Sequence, residues 1–379
     1  MIELHLKAEF KTQVPPFVVK LRRIDSGDGA QPAGDEALAT ARCSTPGTYD
    51  CDSAHGRFVM QVRPDESIDG DVLLCVPSRG VAQRLFRRSS RHNTLLLTER
   101  CDQICVMCSQ PPKNTDDEWR FPLYEQALLL ADPNMMVGIT GGEPTLYKDA
   151  LLGMIERVFA RRPDLRYHIL SNGQHFTADD IELLSRLHES VNIVWGVPLY
   201  SHREEAHDEI VGKEGAFRKV MANLFLLGGT KARIELRTVI TALNIFDLPS
   251  LAAFIAKNIP FIGDWAIMGM EPIGYARPNW QQLFFDHSLF PQPIASALEI
   301  SGLKNIHVHL YNVPRCTMPK PYRDYCVDSI SDWKKKYLPE CGDCTERDVC
   351  PGFFEWYSPK VAWTGIAPIR GDSSAGRLP

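Results

Sequence analysis

Apolar and polar positions along the chain change rhythm twice. Up to about residue 90, short apolar runs ("FVVKL", "RFVMQV", "DVLLCV") alternate with a Gly/Asp/Ala-rich stretch, "DSGDGAQPAGDEALATA". Short runs rich in β-branched residues and separated by turn residues predict a small, mostly β region. From Asn93 the pattern lengthens. "NTLLLTE" reads as a buried strand, "DEWRFPLYEQALLLA" as a helix, "MMVGIT" as a strand, "DALLGMIERVFARR" as an amphipathic helix and "RYHIL" as a strand. "TADDIELLSRLHE" predicts a helix with Thr177 as its N-cap and acids in its first turn. "NIVWGV", "ARIELRTVI" and "DWAIMGM" supply three more strands, separated by the helices "GAFRKVMANLFLLGG" and "LPSLAAFIAKN". Six strands alternating with helices imply a parallel sheet with right-handed crossovers. Six repeats suit an open, partial (β/α)6 barrel better than a complete eight-fold one. Past Pro278 the periodicity breaks down: "SALEISGL" reads as a helix, "NIHVHLYN" as a strand, and the rest is loop-rich.

The expected organisation is therefore a small β-rich region at 1–90 of unknown role, an α/β partial barrel at 91–300, a loop-rich cysteine region at 301–358 and a tail at 359–379. The last stretch, "GIAPIRGDSSAGRLP", is expected to be mobile. With 379 residues, 44% hydrophobic and 23% charged, the chain has the makings of an ordinary buried core. A formal net charge of -5 offers no general attraction for nucleic acid, and the basic run "RLFRRSSRH" reads as a solvated connector. No apolar run reaches the length of a bilayer span, and "MIELHLKAEF" lacks a secretory core, so a cytoplasmic placement is expected with no membrane partner.

That placement decides how the eleven cysteines read, because clustered thiols in a reducing compartment are metal ligands or catalysts more often than disulfides. Eight fall into two groups: Cys101, Cys105 and Cys108, then Cys316, Cys326, Cys341, Cys344 and Cys350. Cys43, Cys51 and Cys75 are scattered and read as plain thiols. The first group lies in "CDQICVMCSQPP", with spacing C-x3-C-x2-C. A disulfide takes two thiols and a closed zinc site four ligands. An iron–sulfur cubane held by three thiolates keeps its fourth iron open. Zinc here would need a further ligand. Both the cysteine loop and "TGGEP" follow predicted strands, and reactive groups in α/β sheets gather at the carboxyl ends of strands, so one rim is expected to carry both.

The cysteine loop after the first strand, with Gly141-Gly142-Glu143-Pro144 after the second, resembles the radical S-adenosylmethionine (SAM) superfamily. That resemblance implies a [4Fe-4S] cluster on Cys101, Cys105 and Cys108. The open iron would bind SAM, and reductive cleavage would yield a 5′-deoxyadenosyl radical. It also implies SAM contacts from Gly141, Gly142, Glu143 and Pro144 toward the methionine ammonium. Further contacts would come from Ser171 and Asn172 in "LSNGQ", from Ser201 in "VPLYSH" near the ribose, and from Arg237 toward the SAM carboxylate. "MGMEPIGYA" resembles the segment lining the adenine, and "HDEIVGKEGAF" the "HD…GSF" stretch of peptide-modifying members. For each of these contacts, ordinary polarity of a barrel rim is the other reading. No catalytic side chain is assigned.

Cys341-x2-Cys344-x5-Cys350 is similar to the auxiliary-cluster regions, SPASM and twitch, of the same superfamily. Five cysteines count for one auxiliary iron–sulfur cluster, on Cys316, Cys341, Cys344 and Cys350. Cys326 is then spare or an alternate ligand. A structural zinc is the other reading, since four thiolates complete its shell. The span from Asn93 to Phe354 resembles the HxsC-type maturases of the His-Xaa-Ser system. This implies an enzyme that modifies, by cross-linking, a ribosomally made His-Xaa-Ser precursor peptide. Its partners would be that peptide, a low-potential flavodoxin- or ferredoxin-type electron donor and a second radical SAM maturase. On this reading the N-terminal region is expected to take up a leader peptide as an added strand on a sheet edge. Two other readings stay open: a radical SAM enzyme acting on a small molecule of the molybdopterin-precursor kind, and a non-catalytic iron–sulfur or zinc carrier or scaffold.

Overall fold

The computed structural model describes residues 3–24, 35–358 and 363–370. The chain forms two compact units, Met1–Thr98 with Asn114–Ile169, and Glu99–Lys113 with Leu170–Pro379.

The first unit opens with seven strands: β1 (His5–Phe10), β2 (Phe17–Ile24), β3 (Leu38–Thr45), β4 (Thr48–Ser53), β5 (Gly56–Gln61), β6 (Val72–Val76) and β7 (Val81–Phe86). They close into a barrel in the order β1-β5-β4-β3-β2-β6-β7. Period-two alternation does the sorting, as in β1, where Leu6 and Ala8 are buried between exposed neighbours. Leu6, Val19, Ala41, Phe58, Met60 and Leu73 meet in one core. The predicted β region is thus a barrel, and closure overturns the expectation of an open edge. Each strand has a neighbour on either side, so the ladder groups an added peptide strand would need are largely paired already. Part of the Gly/Asp/Ala-rich stretch, residues 25–34, lies outside the described residues.

A buried charge sits at one side of this barrel. Arg84 on β7, with its side chain 1% exposed, donates from Nε to Asp71 Oδ2 at 3.0 Å and is paired with Glu66. Burial pushes the Asp71 carboxyl up to about 6 even with Arg84 beside it. Outside the barrel, Lys20 on β2 donates to Asp132 at 2.7 Å and to the Leu130 carbonyl at 3.0 Å. The same unit continues with β8 (Asn93–Leu96), α1 (Phe121–Leu130), β9 (Met136–Thr140), α2 (Lys148–Phe159) and β10 (Arg166–Leu170). β9 pairs in parallel with both β8 and β10. Arg162 closes the C-terminal end of α1, donating to the carbonyls of Leu129 at 3.0 Å and Ala131 at 2.9 Å.

The second unit carries α3 (Ile181–Ser190), β11 (Asn192–Pro198), α4 (Glu204–Val211), α5 (Ala216–Gly229), β12 (Arg233–Val239), α6 (Leu248–Asn258), β13 (Asp264–Met268), α7 (Trp280–Leu283), α8 (Gln292–Leu303) and β14 (His307–Tyr311). β11 to β14 pair in parallel in chain order. Thr177 and Asp180 form a capping box ahead of α3, at the predicted N-cap. The α/β class with a parallel sheet is as expected of a partial-barrel core, and α8 with β14 extends the succession to a seventh parallel strand. After β14 the chain turns through short 3-10 segments and the two-residue strands β15 (Lys335–Lys336) and β16 (Phe353–Phe354).

The described part of the tail is anchored, contrary to expectation. Thr364 N–H donates to Asp286 at 2.7 Å, Gly365 N–H to Ser288 Oγ at 2.8 Å, and the Ile369 carbonyl accepts from Thr345 N–H at 2.9 Å. Residues 359–362 and 371–379 lie outside the described residues. No helix among the described residues is long and apolar enough to cross a membrane.

Arg84→Met would strand two buried carboxylates. It is expected to lower unfolding stability at pH 7 by about 3–5 kcal/mol, read by denaturant titration. Asp71→Asn should cost less than half as much, because its carboxyl is already pushed toward the neutral form. The raised value means that Asp71 contributes most below its unfolded value near 4 and loses that contribution as pH rises through about 6. Asp71→Asn should therefore gain on the wild type over that interval.

Candidate functional site

In the first unit, β9 runs directly into the glycine loop. Leu97 N–H donates to the Thr140 carbonyl at 2.7 Å, and Gly142 N–H to the Thr98 carbonyl at 2.8 Å. A Cβ on Gly141 would stand 2.5 Å from the Thr98 oxygen, so only glycine fits that approach. Glu143 is fully buried and caps the 3-10 turn Pro144–Tyr147, where Oε1 accepts from Thr145 N–H at 2.7 Å and from its hydroxyl at 2.5 Å. Pro144 takes the first position of that turn, where a missing N–H costs nothing.

In the second unit, the cysteine loop has no regular structure of its own and is held by its surroundings. Ile104 N–H donates to the Val211 carbonyl at 3.1 Å and Val106 N–H to the Ile210 carbonyl at 3.0 Å, so the loop lies along the end of α4. Gly212 ends α4 at φ +65, and a Cβ there would reach within 2.6 Å of the Ile104 carbonyl. On the far side the Cys108 carbonyl accepts from Tyr275 N–H at 2.8 Å, and Gly274, at φ +57, lies too close to that carbonyl for any side chain. Beneath the loop Met107 packs with Tyr200, Ile210, Met270 and Trp280.

Asp102, next to Cys101, gathers the rest. Its carboxylate accepts from Asn172 Nδ2 at 2.8 Å, pairs with Lys213, and lies 3.3 Å from His175 Nε2. Burial works to raise this carboxyl, but the bonds and charges of His175 and Lys213 outweigh it and hold it well below the ordinary range. One side chain thereby joins the cysteine loop to the turn after β10 and to the segment after α4.

All three cysteines of the loop are half-buried and outside any disulfide. Burial, and then the proximity of Cys108 and Cys101, push Cys105 up to about 12. Burial raises Cys108 as well. Tyr200, buried beside the loop, is raised by burial and then by the same thiols. A bound metal centre is what would relieve the cost of ionising Cys105 and Cys108 here. Gln174, two residues beyond Asn172, is 8% exposed, and neither end of its amide has a hydrogen-bond partner among the described residues. Mutually close thiols and an orphaned buried amide fit an iron–sulfur centre with a polar ligand.

Of the remaining predicted contacts, Asn172 is drawn to the cysteine loop through Asp102. Ser171 Oγ accepts from Gly173 N–H at 3.0 Å and shapes its own turn. Ser201 is fully buried and donates to Asp247 at 3.1 Å while accepting from Arg203 N–H at 3.1 Å, so its hydroxyl is spent on closing the turn after β11. Arg237 is paired with Glu235 and lies 5.8 Å from the centre of the Tyr311 ring. Asp208 of the "HD" stretch accepts from Gly215 N–H at 2.6 Å and Phe217 N–H at 2.7 Å, capping α5. His207 accepts from Tyr200 N–H at 3.3 Å, and burial pushes it down to about 4. Sequence reasoning passed over Asp102, Lys213 and Tyr200. Only Tyr200 was within its reach, one residue before the Ser201 it favoured.

The second cysteine group surrounds a small pocket of about 20 Å³ lined by Cys316, Cys341, Cys344 and Cys350. Gly352 N–H donates to Cys350 Sγ at 3.5 Å, and burial pushes Cys316 up to about 11. Arg315, also on the wall, is held by Glu346 at 2.5 Å and Asp324 at 2.8 Å. Residues 366–369 of the tail complete the wall. Cys326 stands outside the lining. It is buried beside β14, and burial pushes it up to about 12 although Arg315 opposes this. Among the described residues, no three or more His, Cys, Asp or Glu groups converge closely enough to hold a single metal ion.

β15 and β16 bracket Cys341, Cys344 and Cys350, and this hairpin is pinned to the end of β13. Lys334 Nζ donates to both oxygens of Glu271, at 3.1 and 3.2 Å, with the rings of Trp333, Phe354 and Trp356 within 5.1–6.0 Å.

Residues 95–240 match the family model of the Radical SAM superfamily. Similar solved structures include Streptococcus suis SuiB bound to S-adenosylmethionine, 18% identical over 57% of this chain and 49% of that one, with a TM-score of 0.45. The chain spans about half the length of SuiB. The anSMEcpe enzyme with bound AdoMet is 16% identical over 57% of this chain and 62% of its own, with a TM-score of 0.39. A domain of pyruvate-formate lyase-activating enzyme from Bacteroides vulgatus is 10% identical over 46% and 97%, with a TM-score of 0.36. No curated protein matches the chain.

Asp102→Asn is expected to loosen the cysteine loop. Exchange of the Ile104 and Val106 amides, followed by hydrogen–deuterium exchange, should accelerate about tenfold, the equivalent of about 1.4 kcal/mol. Because the carboxyl is held low, the brace it provides should persist as pH falls to 4 and fail only below the ordinary carboxylate range. In anaerobic reconstitution, Cys344→Ala should lower the bound iron per chain while Cys326→Ala leaves it unchanged.

Proposed function

We propose that this protein is a radical SAM enzyme that cross-links a ribosomally made precursor peptide of the His-Xaa-Ser type. The observation that carries the reading is the braced loop of three thiols within the segment 95–240, with Cys101 and Cys108 both near Cys105. Cys101, Cys105 and Cys108 would hold a [4Fe-4S] cluster, which with SAM bound supplies reductive cleavage of the sulfonium and a hydrogen-abstracting 5′-deoxyadenosyl radical. The chain's own contribution is placement. Asp102, Asn172 and Lys213 fix the loop, and the sheet of the second unit carries the buried Glu235 beside the half-buried Arg237 and Tyr311.

Ring closure on a peptide removes two hydrogens in all, one as an atom and one as a proton with an electron left over. Accepting that electron is the role proposed for an auxiliary iron–sulfur centre on Cys316, Cys341, Cys344 and Cys350. Its support is the shared pocket of those four thiols and the N–H donated to Cys350 Sγ. The resemblance to HxsC-type maturases supports the choice of peptide, and a low-potential flavodoxin or ferredoxin would deliver the first electron.

Anaerobically reconstituted protein, given SAM, dithionite and a His-Xaa-Ser-rich peptide, should release methionine and 5′-deoxyadenosine and yield a peptide lighter by two hydrogens per event. Alanine at Cys101, Cys105 or Cys108 should abolish both products. Loss of SAM cleavage in the iron-loaded wild type would overturn the reading. SAM cleavage accompanied by change to a small molecule, with the peptide intact, would replace peptide by small-molecule chemistry.

A further inference from the structure

Within the braced loop one buried side chain is left half-satisfied. Gln103, between the first two cysteines, is 3% exposed. Its Oε1 lies 3.7 Å from Cys105 Sγ, accepting the thiol hydrogen, while its Nε2 has no hydrogen-bond partner among the described residues. A buried N–H without a partner costs about 1–3 kcal/mol, so an amide is an expensive choice here beside an apolar residue of the same size. The carbonyl and amino ends of such an amide differ by a half turn, and the partner decides which end faces it. A thiol has a hydrogen to give, and it faces the oxygen. An iron-bound thiolate has none, and the oxygen would then oppose a negative sulfur. Turning the amide by half a turn presents Nε2–H to that sulfur instead and satisfies the orphaned donor in the same move.

We propose that Gln103 is a positioning residue whose side-chain amide donates an N–H to Cys105 Sγ when that sulfur ligates iron, and so sets the reduction potential of the N-terminal centre. The inference rests on the iron–sulfur reading of the loop. Hydrogen bonds to ligand sulfurs stabilise the more negative, reduced state and raise the potential. Gln103 is itself buried, which is the circumstance in which one donor counts most.

The test compares reconstituted wild type, Gln103→Leu and Gln103→Met by redox titration followed by electron paramagnetic resonance, without SAM or peptide. Both variants keep the bulk and remove the donor. Reduction is expected to become about tenfold less favourable, a midpoint about 59 mV more negative for one electron, with iron content equal to wild type. If Gln103→Leu fails to hold iron, Gln103→Met carries the measurement. Iron-loaded variants with the wild-type midpoint would overturn the proposal while leaving the iron–sulfur reading intact. A wild type that binds no iron would overturn that reading itself.

Discussion

The second unit depends on the carboxylate of Asp102. The cysteine loop has neither helix nor strand to hold its shape. Its rigidity is borrowed. Asp102 takes Lys213, Asn172 and His175 together, and so fixes the loop against two segments that are distant in sequence. The backbone bonds from Ile104 and Val106 to the end of α4 set the loop's register, and Tyr275 holds its other end. A charge-assisted network of this kind is worth more in a half-buried place than at the surface, where an isolated pair contributes little.

Several side chains singled out as ligand contacts serve the architecture first. Glu143 caps the turn that carries Pro144, Ser201 closes the turn after β11, and Asp208 caps α5. Gly141 and Gly274 are glycine because a neighbouring carbonyl leaves no room for a Cβ. Loops at the carboxyl ends of strands must satisfy many backbone groups in little space, and the same residues that shape them are those that ligand-based reasoning picks out. A rim assembled this way is shaped by backbone positioned by caps as much as by dedicated side chains.

The cysteine-rich region solves a different problem. With almost no apolar periodicity it still closes a pocket, using the Arg315–Glu346 pair, the anchored tail and a hairpin pinned by Lys334 to Glu271. Burial raises Glu271 more than Lys334 lowers it, so the pair is held by the packing of Trp333, Phe354 and Trp356 around the ammonium as well as by charge. The pocket wall contains Phe353, residues 366–369 and four cysteines spread over 35 positions of sequence. Metal–thiolate bonds would add to a frame that is already closed.

By itself the sequence determined the elements and the grouping of the thiols. Hydrophobic periodicity set the β/α succession from Asn93, the Thr177 cap was readable from its acids, and cysteine spacing marked out the two thiol groups, because these are local properties of neighbouring residues. The sequence did not disclose the closure of the N-terminal strands into a barrel, since strand order depends on pairings between β1 and both β5 and β7 that no local pattern encodes. Nor did it disclose the seat of Cys326 outside the pocket, the anchoring of residues 364–369, or the convergence of Lys213 and His175 on Asp102. Each of these is a contact between residues far apart along the chain, and only folding brings such groups within reach of one another's charge.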